Sequence, residues 1–386
     1  MSVEQAIFWV GVVTAAFFVV MAYHLVRNVP RLTRLRDVQP LPDAELPAAS
    51  IVFAARNEAR GIEAALRSLL RQDHPRLEVI AVDDRSDDGT GEILERMAAE
   101  EPRLTVVHVT ELPRGWLGKN HALHLGAARA RGELLLFTDA DVVMAPDTVR
   151  RAASHLAREG VDHLTAGPHV DMPGWMLQTF GVFFGMMFTL FSQPWKARDP
   201  RSAKHVGIGA FNLVRTEAYR RAGGHQPIAL RPDDDMKLAK LLKKTGGTQD
   251  FVNGAEHIRV EWYHSVREAV RGLRKNGFAG IDYRLSMVIG STLVLVLFFI
   301  WPFIAVWVAE GWARVAYGAA VATILVLFAG AAREQRVPVW LGIAVPLAAL
   351  LFIVVVWNAT LYALIRGGIE WRGTFYPLDE LRANKV

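Results

Sequence analysis

The chain has 386 residues, long enough for more than one domain, and 52% of them are hydrophobic, with a mean hydropathy of +0.19. It contains no cysteine, which excludes disulfides and thiolate metal sites. The net charge is +5, but no basic–aromatic recognition motif is present, so we expect a membrane protein with a soluble part and no nucleic-acid partner.

The first apolar run predicts a membrane anchor. Residues 6–26 carry no Asp, Glu, Lys or Arg, and their length suffices to cross a bilayer. A signal peptide would carry a basic segment before this run, where only Glu4 is charged. Basic residues follow it instead, so the following domain is predicted to be cytoplasmic. The expected order is an anchor at 1–29 and an extended, proline-containing linker at 30–48.

A soluble domain is predicted from residue 49 to residue 281. Apolar runs read as strands at 50–55, 77–82, 104–109 and 133–137, and helical patterns occupy 61–72, 91–100 and 121–131. Alternation of this kind predicts an α/β domain with a mainly parallel, Rossmann-like sheet covered by helices. Polar residues follow the strands, and ligands bind at the carboxyl ends of the strands in such sheets.

Two carboxylates, Asp139 and Asp141, follow the fourth predicted strand. Side chains at positions i and i+2 of a strand project to the same side, where two carboxylates repel unless a cation lies between them. Mg2+ or Mn2+ takes such oxygen ligands together with substrate phosphates. The pair therefore indicates a metal–diphosphate site, and the alternative is a solvated acidic turn.

Six short motifs occur in the order typical of family 2 glycosyltransferases, which have the nucleotide-sugar-binding GT-A fold. The residues that carry this resemblance are 54–58, 82–90, 118–120, 138–141, 207–210 with 223–224, and 234–238. With its apolar runs, the chain resembles bacterial membrane enzymes that glycosylate lipids, carotenoids or hopanoids, and more distantly ceramide glucosyltransferases.

The resemblance implies roles for individual residues. Glu58 and Asp84 would bind the uridine of a UDP-sugar, with Asp83 supporting that loop; helix capping is the alternative for such acidic turns. Lys119, in the motif that ends with Asn120, would contact the diphosphate as a point charge. The role of Asp139 and Asp141 would be to hold the divalent metal that bridges that diphosphate.

The resemblance also implies a catalytic base near residue 235. Inverting transfer needs a group that accepts the proton of the attacking hydroxyl. Asp235 fits the family register and Asp234 takes the preceding acidic position, so both stay candidates. Acidic residues at a helix start are also common because they interact favourably with the helix dipole.

The remaining sequence favours transfer of one sugar by a membrane-bound enzyme. The Gln-x-x-Arg-Trp motif of processive members is absent, and in the corresponding stretch Arg271, Arg274 or Lys275 is either a diphosphate or head-group contact or a basic flank. The apolar run at 173–195 is expected to lie in the interface or line the acceptor entry, with a buried core helix as the alternative. Residues 282–386 are expected to hold three further spans and a tail whose side of the membrane stays open.

The chain is therefore predicted to be a multi-pass protein of the inner (plasma) membrane with a cytoplasmic catalytic domain. It would use a divalent metal to transfer one sugar, with UDP-glucose as the expected donor, to a hydroxyl of a membrane lipid. The alternatives are a polyprenyl-phosphate glycosyltransferase, a processive polysaccharide synthase and a non-catalytic sugar-nucleotide-binding membrane protein.

Overall fold

The computed structural model describes residues 2–386, which form two compact units that are each discontinuous in sequence. The sheet unit contains Leu32–Val170, Ser192–Glu261 and Glu370–Val386. The helical unit contains the chain up to Arg31, together with Asp171–Phe191 and Trp262–Ile369. The boundaries predicted at residues 29, 48 and 281 were drawn where the amino-acid composition changes. The two units are defined by which residues contact each other, so their boundaries differ from the predicted ones.

Thirteen strands and fifteen α-helices make up these units. The strands are β1 Thr33–Arg34, β2 Ala49–Ala55, β3 Leu77–Asp84, β4 Leu104–Val109, β5 Leu134–Asp139, β6 Val143–Met144, β7 His163–Gly167, β8 His169–Asp171, β9 Asn212–Arg215, β10 Gln249–Asn253, β11 Ile258–Glu261, β12 Gly368–Trp371 and β13 Thr374–Pro377. The helices are α1 Val3–Asn28, α2 Ile62–Leu70, α3 Thr90–Glu100, α4 Gly118–Arg129, α5 Thr148–Glu159, α6 Gly174–Ser192, α7 Thr216–Arg221, α8 Asp234–Lys244, α9 Val266–Gly272, α10 Arg274–Gly277, α11 Leu285–Val294, α12 Trp301–Val308, α13 Gly311–Glu334, α14 Val345–Arg366 and α15 Leu378–Ala383.

The main sheet has eight strands in the order β1-β10-β7-β9-β5-β2-β3-β4. All neighbouring pairs are parallel except the two that involve β9. Successive side chains of β2 alternate between two cores, with Ile51 and Phe53 in one and Val52 in the other. A strand buried on both faces is a continuous apolar run, which is why β2, β3 and β5 were predicted. The mainly parallel sheet and the helices on both faces confirm the predicted fold class.

The antiparallel strand β9 and the strands near it were not predicted. Asn212–Arg215 has only four residues, and its partners β5 and β7 lie far away in sequence. A three-stranded sheet, in the order β6-β11-β8, was also missed. Strands of two to four residues carry too little periodicity to be recognised locally.

The stretch predicted as an extended linker is part of the sheet unit's core. Leu35 and Leu46 have no exposed surface, and β1 adds a parallel edge strand to β10. The guanidinium of Arg151 donates to the carbonyl oxygens of Arg36 and Val38, at 2.9 and 2.6 Å. Prolines make this stretch irregular. Its buried leucines and the hydrogen bonds to its carbonyl oxygens nevertheless hold it against the rest of the sheet unit.

The helical unit contains five helical segments that are long and apolar enough to cross a membrane, by length and composition. They are Glu4–Arg31, Gly174–Lys196, Leu285–Val308, Gly311–Glu334 and Val339–Arg366. Four agree with the spans expected from the sequence. A π-helical segment, Leu295–Ile300, joins α11 to α12, and Pro346 lies in the first turn of α14, where proline is compatible with a helix.

The second segment, which contains α6, is long enough to span but connects two parts of the same unit. Val170 precedes α6 and Ser192 is its last residue, and both belong to the sheet unit. The interfacial or acceptor-lining position of this helix stays a prediction.

Candidate active site

The carboxyl edge of the sheet brings the acidic motifs into register. Ala54 of β2 pairs with Asp139 of β5, and Ala55 pairs with Asp83 of β3. Glu58 follows three residues after the end of β2. Residues that are far apart in sequence thus meet because parallel strands end at one edge.

The loops after β2 and β3 are locked together by polar contacts. The backbone N–H of Asn57 donates to Oγ of Ser86 at 3.1 Å, and its amide donates to Asp87 at 2.8 Å. The N–H of Glu58 donates to Oγ1 of Thr90 at 2.9 Å. Asn57 and Arg85 both have left-handed backbones, with φ of 57° and 60°. These contacts fix a tight double loop around Glu58.

The carboxylates predicted to bind uridine have basic partners. Asp84 is buried and accepts two hydrogen bonds from Arg85, at 2.8 and 3.1 Å. Asp83 bonds to His108 Nδ1 at 3.0 Å and accepts the N–H of Ser86 at 3.3 Å, as expected for a residue that supports the loop. Glu58 contacts Arg372, described below. Their role in donor binding stays a prediction.

Lys119, the second residue of α4, lies between carboxylates from two other elements. Its Nζ is 2.8 Å from Oδ1 of Asp139 and 3.3 Å from Oδ2 of Asp234. Burial alone would lower the pKa of Lys119, but the charges of Asp139, Asp234 and Asp235 raise it, so the ammonium stays charged. The structure therefore brings together three of the predicted site residues, Lys119, Asp139 and Asp234, with the lysine ammonium between the two carboxylates.

The three consecutive aspartates at the start of α8 have different surroundings. Asp233 accepts two hydrogen bonds from Arg231, at 2.9 and 3.0 Å, and Asp234 pairs with Lys119. Asp235 accepts backbone N–H groups, from Gly209 to Oδ2 at 2.9 Å and from Met236 to Oδ1 at 2.7 Å. Burial and the charge of Asp234 raise the pKa of Asp235 to about 7. Asp235 is thus the aspartate best suited to accept a proton near neutral pH.

Two glycines let the loop before β9 approach these aspartates. A Cβ atom on Gly207 would lie 2.1 Å from the carbonyl oxygen of Asp235, and one on Gly209 would lie 2.7 Å from Oδ2 of Asp139. No larger residue fits at Gly207 without moving backbone. The motif 207–210 therefore positions the Gly209 N–H against Asp235.

Asp139 and Asp141 fit a divalent cation that receives further ligands from a substrate. Loss of hydration raises the pKa of Asp141 to about 6, and the negative charges of Asp139 and Glu58 add to this rise. A cation bound beside Asp139 and Asp141 would offset these negative charges. Among residues 2–386, no three His, Cys, Asp or Glu side chains form a preformed metal site. Two carboxylates plus diphosphate oxygens are a typical Mg2+ or Mn2+ ligand set.

Asn120, the residue after Lys119, is fully buried. Its amide donates to the carbonyl oxygens of Ile228, Ala229 and Arg231, at 2.8 to 3.2 Å. These bonds hold the segment before α8 against α4. The observed contacts are structural, and its predicted contact with the donor stays a prediction.

The sequence analysis missed the tail. Arg372 donates to Oε1 of Glu58 at 2.5 Å, and the buried Tyr376 lies near enough to the backbone of Gly118, at the start of α4, for Gly118 to lower its pKa against the rise that burial causes. The tail's only local signal was its mixture of aromatic and charged residues, which indicates no particular partner. Arg274, a predicted head-group or diphosphate contact, bonds instead within the helical unit to Asn358 at 2.7 Å and lies 4.7 Å from the centre of the Tyr362 ring.

Comparison with known proteins agrees with this architecture. Residues 50–222 match glycosyl transferase family 2. The 4,4'-diaponeurosporenoate glycosyltransferase of Staphylococcus haemolyticus (strain JCSC1435) is 26% identical over 201 residues, 50% of this chain and 51% of the relative. The protein of the same name from Staphylococcus aureus (strain USA300) is 28% identical over 181 residues, 46% of this chain and 47% of the relative. The matched region thus spans about half the length of these curated relatives.

A solved structure extends the likeness of the fold over most of the chain. The mannosyltransferase from Pyrobaculum calidifontis, in complex with GDP-Man and Mn2+, superposes with a TM-score of 0.53 at 21% sequence identity. The superposition covers 91% of this chain and 99% of the mannosyltransferase. The sheet, the edge motifs and these matches agree: residues 50–222 are similar to glycosyl transferase family 2, and the chain has the GT-A fold.

Proposed function

We propose that this protein is a membrane-anchored, inverting glycosyltransferase. It transfers one sugar from a nucleotide-sugar, UDP-glucose being the expected donor, to a hydroxyl of a membrane lipid at the cytoplasmic face of the inner (plasma) membrane. The observation that carries the proposal is the cluster of Lys119, Asp139 and Asp234 beside the half-buried carboxylate of Asp235.

The donor half of the cluster is suited to a nucleoside diphosphate. Glu58 and Asp84 accept hydrogen bonds from the nucleoside, and Lys119 supplies a fixed positive charge for the diphosphate. Asp139 and Asp141 would hold the divalent cation, which would supply positive charge for the leaving diphosphate when bound. Lys119 pairs with Asp139 and places a second positive charge at the same carboxylate.

The acceptor half requires a base. Asp235 accepts the proton of the attacking hydroxyl while the sugar carbon is attacked from the face opposite the diphosphate. The N–H groups of Gly209 and Met236 orient its carboxylate, and its pKa of about 7 makes it a stronger base than an ordinary aspartate. Asp234 is committed to Lys119, which makes it the weaker candidate.

The lipid acceptor is supported by the composition of the helical unit and by the relatives. Five apolar segments keep the enzyme in or at a bilayer, where a lipid acceptor is concentrated. The relatives are named for glycosylation of diaponeurosporenoate, a carotenoid. We infer an acceptor of the same general kind, a membrane-soluble molecule with one reactive oxygen.

UDP release tests the proposal. Detergent-purified protein is incubated with UDP-glucose, Mg2+ or Mn2+ and total membrane lipid. We expect lipid-dependent release that EDTA and Asp139→Ala abolish, and that Asp235→Asn lowers by about 10²–10⁴-fold. Asp37→Asn is the matched control, since this carboxylate is exposed and has only a surface ion pair with Arg36 at 3.4 Å.

The other outcomes distinguish the alternatives. Full activity of Asp235→Asn would indicate a phosphate acceptor, which needs less of a base, as in a polyprenyl-phosphate glycosyltransferase. Products longer than one sugar would indicate a processive synthase. UDP binding without release, with any common UDP-sugar, would contradict turnover and leave a sugar-nucleotide-binding protein.

A further inference from the structure

The tail returns to the sheet unit after the last helix of the helical unit. Glu370–Val386 belongs to the sheet unit and contains the end of a hairpin, formed by β12 and β13, followed by α15. Leu378 and Leu381 of α15 are buried. The tail is thus a packed element of the domain.

The tip of the hairpin contacts the loop after β2. Nη2 of Arg372 lies 2.5 Å from Oε1 of Glu58, with 40% and 29% of the two side chains exposed. A Cβ atom built on Gly373 would lie 3.8 Å from Nη2 of Arg56. The other terminal nitrogen of Arg56, Nη1, lies 3.9 Å from Oδ2 of Asp84. The tip therefore lies beside both carboxylates that are proposed to bind the nucleoside.

The backbone of the tip is strained in a way that favours a functional role. Arg372 and Gly373 are the two residues between the strands, with φ of 49° and 75°. A two-residue hairpin with positive φ at both positions favours asparagine or aspartate followed by glycine. An arginine in the left-handed region costs free energy, and residues with such backbones cluster at ligand-binding sites. Asn57 and Arg85, on the facing loops, have the same backbone conformation.

The rest of the tail contacts the other elements of the site. Tyr376 lies near enough to the backbone of Gly118, next to Lys119, for Gly118 to influence the pKa of its hydroxyl. Asn384 accepts the N–H of Leu230 at 3.1 Å and donates to the carbonyl of Pro227 at 2.9 Å, before α8. Nζ of Lys240, within α8, donates to the carbonyl oxygen of Val386 at 2.6 Å. The tail thus contacts α4 and α8, which carry Lys119 and Asp235, and the segment that precedes α8.

We propose that Arg372 is a positioning residue for donor binding, and that the tail thereby forms part of the nucleotide pocket. This inference rests on the proposed function. The guanidinium holds Oε1 of Glu58 and leaves Oε2 for the hydroxyl or N–H donors of the nucleoside. It also compensates the negative charge of Glu58, which acts on the nearby Asp141. The tail acts on the affinity for the nucleoside, while the chemistry stays with Asp235.

UDP affinity and steady-state kinetics of the full-length, detergent-purified protein test this inference. Arg372→Gln keeps a long polar side chain and removes the charge. Since charge-assisted hydrogen bonds are about twice as strong as neutral ones, we expect the UDP Kd and the donor KM to rise about fivefold to twentyfold. The kcat and the melting temperature should stay close to those of the unchanged protein.

Four further variants separate positioning from packing. Glu58→Gln should raise the Kd, and Arg372→Gln in that background should raise it little further, because both remove one interaction. Arg372→Lys should restore part of the affinity. Lys385→Ala, which removes an exposed charge from the same tail, should match the unchanged protein.

Two results would overturn the inference, and they are distinguishable. Unchanged Kd and KM in Arg372→Gln, or a loss in Kd that simply adds to that of Glu58→Gln, would show that the tail only packs. No binding of UDP or another nucleoside diphosphate by the unchanged protein, with Mn2+ present, would overturn the proposed function together with this inference.

Discussion

Single side chains in this site serve more than one partner. Lys119 is the clearest case, because one ammonium neutralises Asp139 from β5 and Asp234 from α8. Each of these two carboxylates also has a second carboxylate close by, Asp141 for Asp139 and Asp235 for Asp234. The site therefore keeps four negative charges close together with one lysine and without a preformed cation cage among residues 2–386. A donor diphosphate would compete with these carboxylates for the lysine.

The pKa of Asp235 predicts how the rate depends on pH. A base must be deprotonated to act, and burial together with Asp234 raises its pKa to about 7. The kcat should therefore be low in acid, rise as the pH increases through about 7, and level off above it. The measurement is the initial rate of UDP release at saturating donor, from about pH 5 to about pH 9. A flat profile, or the same rise in Asp235→Asn, would contradict this assignment.

Replacement of Lys119 should cost both binding and stability. Lys119→Met removes an ammonium that pairs with Asp234, whose side chain is 8% exposed. Breaking a largely buried ion pair by removing one partner should lower the free energy of unfolding by about 3 kcal/mol. Thermal unfolding in detergent and UDP affinity are the measurements.

Lys244→Met, at an exposed position near the end of α8, is the control for that change. It should unfold at the temperature of the unchanged protein. Equal stability of Lys119→Met and the unchanged protein would contradict this prediction. It would show that the negative charge of Asp234 does not need the lysine.

At the scale of elements, the site depends on how closely three segments approach. The loop at 207–210 touches the start of α8, and the three atoms nearest to a Cβ atom on Gly207 would be backbone atoms of residues 235 and 236. Helix α4 is attached to the segment before α8 by the buried amide of Asn120. The base and the lysine are therefore positioned by contacts between elements, each of which is sensitive to small changes in volume.

Gly207→Ala should displace Asp235 without removing any functional group. Its Cβ atom would lie 2.1 Å from the carbonyl oxygen of Asp235, so the backbone must move by about an ångström, enough to lower kcat about 100-fold. UDP release measures this loss. Gly61→Ala is the matched control, because its Cβ atom would meet nothing within 4 Å and its φ is negative. A kcat within a few-fold of normal in Gly207→Ala would show that the loop is free to withdraw.

The elements that sequence alone predicted share a physical property. β2, β3, β4 and β5 are apolar runs of six to eight residues that end in polar groups, so both the strands and the edge motifs were recognisable. β9, with four residues, and the two-residue β1 and β6 have no such signal. The contacts of Lys119 with Asp234, and of Arg372 with Glu58, join residues 115 and 314 positions apart, and periodicity carries no information about such pairs.

At the scale of the whole molecule, the chain segments that form the sheet unit bear on the membrane topology. Glu261 and Glu370 both belong to that unit, and the chain between them contains three of the apolar segments. If the sheet unit lies wholly on one side of a bilayer, the chain crosses an even number of times between these residues. We therefore predict that at least one of the three segments does not cross completely. Three complete spans, considered from the sequence, would have put the tail outside.

Cysteine labelling measures this topology directly, since the chain has no cysteine of its own. We expect Asp37→Cys and Lys385→Cys to react with an impermeant reagent from the same side of sealed vesicles. Glu310→Cys, in the short connection between α12 and α13, should react from the other side. Vesicles of opposite orientation provide the control. Labelling of Lys385→Cys only from the side opposite to Asp37→Cys would contradict the grouping of the tail with the sheet.

The contact between Glu58 and Arg372 also has a consequence for biosynthesis. These residues are 314 positions apart, and ribosomes add about 5 to 20 residues per second, so Glu58 emerges roughly 15 to 60 s before its partner. The intervening apolar segments must be inserted into the bilayer during this interval. The nascent domain can form most of its sheet early, but its nucleotide pocket is completed only after the membrane helices have been made. A chain arrested or cleaved before the tail would then have a folded domain with weakened donor affinity, so translation itself would delay activity until the enzyme is in the membrane.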